Sequence, residues 1–153
     1  MANADIFARL KQDHDAHRQL FQKIADANDD EQLEKLFEQL RVEVTAHAAA
    51  EEETLYATML SRPDLREDAQ HSVSEHKEID DYFEELADLK FNGDAWRKKF
   101  AELKKRYMHH IDEEEEEMFP DAAKDLTAEE EDKLGKLFAK RKPAELERAQ
   151  AED

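Results

Sequence analysis

The sequence predicts an all-α fold, an antiparallel up-down four-helix bundle with an extra C-terminal helix. Three observations carry this expectation. Helix breakers are scarce, with two glycines and three prolines in 153 residues. Charged side chains make up 42% of the chain, a composition that favours long solvated helices over sheets. Apolar residues recur at three- and four-residue spacing along four long segments, the period of a helix with one buried face.

The breaks fall at Asn28 to Asp30, Ser61 to Asp64, Asn92 to Asp94 and Phe119 to Asp121, clusters of turn-forming residues that interrupt the periodic runs. The first helix, about 5–27, has an inward stripe of Ile6, Leu10, His14, His17, Phe21 and Ile24. The second, about 30–60, has Leu33, Phe37, Leu40, Val44, His47, Glu51 and Leu55. The third, about 64–90, carries Leu65, Ala69, His76, Ile79, Phe83 and Leu86; the fourth, about 94–118, carries Phe100, Leu103, Tyr107, His110, Glu114 and Met118. After Pro120, Thr127 with Glu130 three residues on reads as a capping box opening a fifth helix,. Residues 1–120 are thus expected to form the bundle and 121–153 a C-terminal helical extension.

Charge and composition narrow the function. With 41 acidic against 23 basic residues, the net charge is −18, which repels nucleic-acid phosphates and anionic lipid surfaces. No apolar run approaches the roughly 20 residues of a membrane span, and the first residues lack a basic then apolar leader, so the expected location is cytoplasmic. There is no cysteine, so any metal must be held by histidine and carboxylate.

Each bundle stripe is interrupted by polar residues, and their positions are related. An internal repeat of about 62 residues aligns Asp13-His14 with Glu75-His76, and HAAAEEETLY at 47–56 with HIDEEEEEMF at 110–119,. In an antiparallel hairpin, residues equidistant from the turn share one depth. His14 and His47 are centred on position 30.5, His47 and His76 on 61.5, and His76 and His110 on 93. Each midpoint falls at or beside a predicted turn, so the four histidines converge on one layer. Glu51 and Glu114 each follow a histidine by four residues, about 6 Å along a helix and about 40° around it, so each pair shares a face. The second and fourth helices are diagonal in an up-down bundle and bring these carboxylates in from opposite corners.

Four imidazoles and two carboxylates suit two metal ions bridged by Glu51 and Glu114, with positions left open for an exogenous ligand. Nitrogen-rich, thiolate-free ligation favours iron, manganese or zinc over calcium or magnesium. Any one of these histidines alone reads as a hydrogen-bonded core residue. Four at one depth beside two buried glutamates would be a costly layer without a metal. His17, one turn after His14, reads as a partner of a ligand, as core or as a further ligand. His71 and His109 are off the stripes and expected in solvent, and the other acids of 112–117 read mostly as a solvated face.

His14, then His47-xxx-Glu51, then Glu75-His76, then His110-xxx-Glu114 before Phe119-Pro120, resembles the hemerythrin-like HHE cation-binding domain family over about residues 5–120. The resemblance implies a non-haem di-iron centre bridged by two carboxylates and an oxo or hydroxo group, with His14, His47, His76 and His110 as terminal ligands and Glu51 and Glu114 as bridges. It also implies reactivity with a small diatomic or peroxide ligand. Two departures from the oxygen-carrying members stand out. Their fifth histidine, one turn before the third-helix ligand, is Ser72 here, with Asp80 on the other side of His76 a less well placed substitute. Tyr107 stands where carriers typically have an apolar residue. Its phenol either serves a bound ligand, by a hydrogen bond to peroxide or as an electron source, or packs with its hydroxyl on a bridge carboxylate.

Both departures count against a reversible carrier. The expected function is a di-iron protein that binds or reacts with O2, peroxide or nitric oxide in sensing or stress response. The alternative is an iron-responsive or iron-storing module without turnover. Ferritin-type carboxylate chemistry is set aside, because no histidine here has a glutamate three residues before it,.

Overall fold

The computed structural model describes residues 5–152. It contains helices α1 (Ile6–Asp26), α2 (Asp30–Glu51), α3 (Ala57–Leu60), α4 (Arg66–Ala87), α5 (Asp94–Glu113), α6 (Phe119–Asp125) and α7 (Ala128–Ala151), with no strand among the described residues. Asp5 and Asp29 cap α1 and α2, their side chains accepting hydrogen bonds from Ala8 and Gln32 backbone N–H groups at 2.8 Å, which satisfies donors that a helix start leaves unpaired. The turn into α5 uses Asn92 at φ 57°, a left-handed conformation that asparagine tolerates. The expected capping box of Thr127 and Glu130 is present at the start of α7.

The second and fourth bundle helices are not uniform α-helix. Backbone hydrogen bonding shifts to the wider π pattern over Glu52–Tyr56 and over Glu114–Met118, then returns to α in α3 and α6. These are corresponding places in the two halves of the repeat, each touching a candidate bridging glutamate. A π turn brings residue i+5 back under residue i. The fourth helix also runs further than its sequence suggests, through Pro120 to Asp125. Pro120 is the second residue of α6, directly after the π segment.

Two apolar clusters fill the bundle. One holds Ile6, Leu10, Leu55, Met59, Phe119 and Phe138; the other holds Phe21, Leu40, Val44, Phe83, Trp96 and Leu103. The inward histidines lie between them along each helix. The fifth helix folds back on the bundle, packing along α1 and α2. Phe138 is buried and its ring meets that of His47 edge-on at 5.8 Å. The Lys142 ammonium donates to Asp13 at 2.8 Å, and Arg41 donates to the Ala149 carbonyl at 3.2 Å. Arg62 pairs with Glu130, tying the turn after α3 to the first turn of α7.

Because Phe138 belongs to the same apolar cluster as Ile6 and Leu10, Phe138→Ala is expected to cost about 3–5 kcal/mol and to expose α7. Urea denaturation should show the loss in the main transition, and hydrogen exchange should show α7 amides losing protection. An unchanged midpoint would mean that α7 adds nothing to the bundle's core.

Candidate metal centre

The six residues expected as metal ligands lie together in the central layer. His14, His47, Glu51, His76, His110 and Glu114 are each buried. Their donor atoms form two groups that share Glu51. One comprises His14, His47 and Glu51, the other Glu51, His76, His110 and Glu114, with the donor atoms of each group within 4.8 Å of one another. The carboxylates span the histidine pairs. Glu51 Oε1 lies 3.6 Å from His47 Nε2 and 3.4 Å from His76 Nε2. Glu114 Oε1 lies 3.5 Å from His14 Nε2 and 3.2 Å from His110 Nε2.

Orientation comes from a second layer of acids. The Nδ1–H of His14 donates to Glu115 at 2.7 Å, that of His47 to Asp13 at 2.9 Å, that of His76 to Glu52 at 2.7 Å and that of His110 to Glu75 at 2.8 Å. Each bond points the opposite nitrogen, Nε2, into the bundle and makes it the better electron donor. The pattern is twofold. Asp13 and Glu75 immediately precede a histidine and each serves the next helix's histidine, while Glu52 and Glu115 immediately follow the spanning glutamates. Sequence reasoning missed all four in this role and assigned Glu115 to the solvated face of its acidic run. That assignment is corrected here, since Glu115 holds His14 and also meets Arg18 at 3.1 Å. The signal was present in the repeat, which aligns Asp13-His14 with Glu75-His76.

His76 Nε2 and His110 Nε2 lie 3.1 Å apart, but other inward atoms have no such contact. His14 Nε2, His47 Nε2, both oxygens of Glu51 and Oε1 of Glu114 are buried without a hydrogen-bond partner. Leaving such groups unpaired costs on the order of 1–3 kcal/mol each, so the donor set fits cations placed between them. Protonation follows the same crowding. Burial alone would lower His14 and His110, but the Glu114 carboxylate, with Glu115 and Glu75 on their outer nitrogens, holds both up to about 9. Burial lowers His47 to about 4. Burial and the neighbouring Glu114 charge push Glu51 well above the usual carboxyl range. Burial works in the same direction on Glu114 but is outweighed by His110 and His14, which keep it ionised.

Two tyrosines flank the layer, and only one was expected there. Tyr107 is buried, but its hydroxyl shares a 2.6 Å hydrogen bond with Nδ1 of His17 rather than contacting a spanning carboxylate. His17 in turn sets its ring edge against His47, 5.1 Å between centroids. The phenol on the carboxylate is Tyr56, which donates to Glu114 Oε2 at 2.5 Å and lies 3.4 Å from His76 Nε2. Tyr56 follows Glu51 by five residues through the π segment. Phe119 follows Glu114 by five and stacks on His14 with centroids 6.1 Å apart. Ser72 is buried, its hydroxyl donating to Met118 Sδ at 3.5 Å, and Asp80 is exposed and in neither inward donor group. His71 and His109 are 56% and 59% exposed, as expected.

Comparison with known proteins bears on the family and the fold. The family model "Hemerythrin HHE cation binding domain" matches residues 5–122. A crystal structure of a hemerythrin HHE cation binding domain-containing protein, the Rv2633c homologue from Mycobacterium kansasii, superposes with a TM-score of 0.84 at 24% identity, covering 99% of this chain and 91% of that one. A DNA nickase from Nostoc sp. is 26% identical over 129 residues, 84% of this chain and 36% of that protein. The chain therefore spans about a third of that curated relative. With most of its length matched, and with a buried histidine and glutamate cluster of the kind such a domain requires, the chain belongs to the hemerythrin HHE cation-binding domain family.

Proposed function

We propose that the central layer holds two iron ions and that the protein uses them to bind or react with a small ligand, O2, peroxide or nitric oxide, in sensing or stress response. One ion would sit on His14 and His47, the other on His76 and His110, with Glu51 and Glu114 spanning both. The observation that carries this reading is the convergence of partnerless buried donor atoms, arranged so that each glutamate faces one histidine from each pair. When bound, an iron pair supplies redox-active Lewis-acid centres for such a ligand. Manganese and zinc suit the same donor types.

The residues of the chain have separable tasks in this reading. Glu51 and Glu114 offset the cations' charge. Asp13, Glu52, Glu75 and Glu115 fix the imidazoles in one tautomer. Tyr56 presents a hydroxyl beside His76 and Glu114, where it can hydrogen-bond or give a proton to a small ligand. Ser72, a poor ligand in place of a fifth histidine, leaves a position open on the same side. A cleft of about 430 Å³ has Ser72 and Glu114 in its wall. Tyr107 and His17 form a buried pair against His47, a hydrogen-bonded phenol within reach of the first ion's ligands. Nickase chemistry is not carried over, since the likeness covers 36% of that relative and a net charge of −18 opposes contact with nucleic acid,.

Three outcomes are expected. After anaerobic iron loading, an air pulse should produce a transient visible absorption change. No change, together with a large iron-dependent gain in thermal stability, would favour an iron-responsive or iron-storing module instead. Glu51→Ala should take iron, measured by elemental analysis, well below two per chain, while His109→Ala leaves it unchanged; two irons retained in the first variant would remove Glu51 from the bridge. Finally, His14 and His110 titrate near 9 without metal, so at pH 7 both carry protons that a cation must displace. Loading at pH 7 should therefore release protons to an indicator dye, and apparent affinity should rise from pH 7 to 9. Affinity independent of pH across that range would contradict this protonation state.

A further inference from the structure

Outside the central layer, a second cluster of donor atoms stands at the surface. His71 Nε2 lies 3.0 Å from Glu113 Oε1 and 3.5 Å from Glu75 Oε2, and these three atoms fall within 4.8 Å of one another. The cluster sits in the cleft between α4 and the α5–α6 stretch, whose walls carry seven acidic residues against one lysine, Lys124. The cleft touches one residue of the central layer. Its inner wall includes Glu114, only 2% exposed, whose Oε1 has no hydrogen-bond partner. Glu75 joins the two regions through one carboxylate: Oε1 accepts from His110 in the central layer at 2.8 Å while Oε2 faces His71. Arg106 Nη2 is 3.7 Å from that same Oε2, but its tighter tie is to Glu78 at 2.9 Å.

We propose that His71, Glu75 and Glu113 form a docking site for a divalent transition-metal cation, occupied on the way to the central layer. The step from surface to centre rests on the iron-pair reading above; the docking site does not. One imidazole and two carboxylates select first-row divalent ions over calcium and magnesium. Three ligands leave the remaining positions to water, which suits an ion that must leave again. The acidic walls raise the local cation concentration, and this gain falls as salt screens it. A site on an exposed histidine at the cleft mouth, sharing a carboxylate with His110, is placed to pass an ion inward without first opening the bundle.

The test uses the full-length, iron-loaded protein and manganese(II) as probe, at roughly 0.15 M salt to suppress diffuse binding. Free manganese is followed by electron paramagnetic resonance. The wild type should bind one ion per chain beyond its iron, and His71→Ala and Glu113→Gln should each weaken that binding by about tenfold or more. Both positions are outside the central layer, so iron content after prolonged loading should match the wild type. The initial rate of ferrous uptake by the metal-free protein should fall severalfold in both variants. Equal manganese affinity in the wild type and both variants overturns the docking site, whatever the iron content. Normal uptake rates in variants that have lost manganese binding overturn its role in delivery. Failure of the wild type to hold iron, with manganese binding still dependent on His71, would instead count against the central pair and leave the docking site standing.

Discussion

Everything in the middle of this bundle depends on one kind of contact, the hydrogen bond from an imidazole Nδ1–H to an outer carboxylate. Four buried histidines would otherwise be free to turn, and each could satisfy a different nitrogen. Asp13, Glu52, Glu75 and Glu115 remove that freedom. The helices set the depth of each ring, and the acids set its direction. The partnerless inward nitrogens and carboxylate oxygens follow from this arrangement, because no outward route remains for them. A layer that would be a defect in an apolar core instead gathers buried donor atoms of the types that suit cations.

The repeat explains how a short chain assembles such a layer. Each half contributes an acid-histidine pair on one helix and a histidine, a spanning glutamate and a following acid on the next. The acids then serve across helix boundaries, so neither half orients its histidines alone. His76 is held by Glu52 from the first half, and His14 by Glu115 from the second. The centre forms only when the hairpins pack together. Apolar clusters above and below it supply the packing, and α7 closes one side by setting Phe138 against His47 and Lys142 against Asp13.

Much of this was legible in the sequence, for reasons that show where the rest was hidden. His14, His47, Glu51, His76, His110 and Glu114 stand in phase with apolar stripes and equidistant from turns, so 3.6-residue periodicity and hairpin geometry select them and bring them to one depth. The outer acids carry no such mark. Asp13, Glu52 and Glu115 are partly exposed and Glu75, though buried, lies beside the apolar stripe rather than on it, and in a chain with 41 acidic residues a working carboxylate looks like a solvated one. Tyr56 was hidden differently. In continuous α-helix a residue five places after Glu51 points well away from it, and only the π turn restores it to the same face. Tyr107 was in phase and is buried, but phase does not say which neighbour takes a hydroxyl; the neighbour is His17.

The π turns also separate the two halves that the repeat makes alike. Each delivers an aromatic ring to the layer, and the rings differ by one oxygen. On the His14 side the ring is Phe119, and Phe138 lies against His47 beside the hydrogen-bonded His17–Tyr107 pair. On the His76 side it is Tyr56, and the wall there borders the acidic cleft through Ser72 and Glu114. A nearly symmetric chain has in this way built a layer whose two ends carry different aromatic groups. A cation or small ligand that reached the layer as proposed would meet solvent-facing carboxylates at one end and aromatic rings at the other.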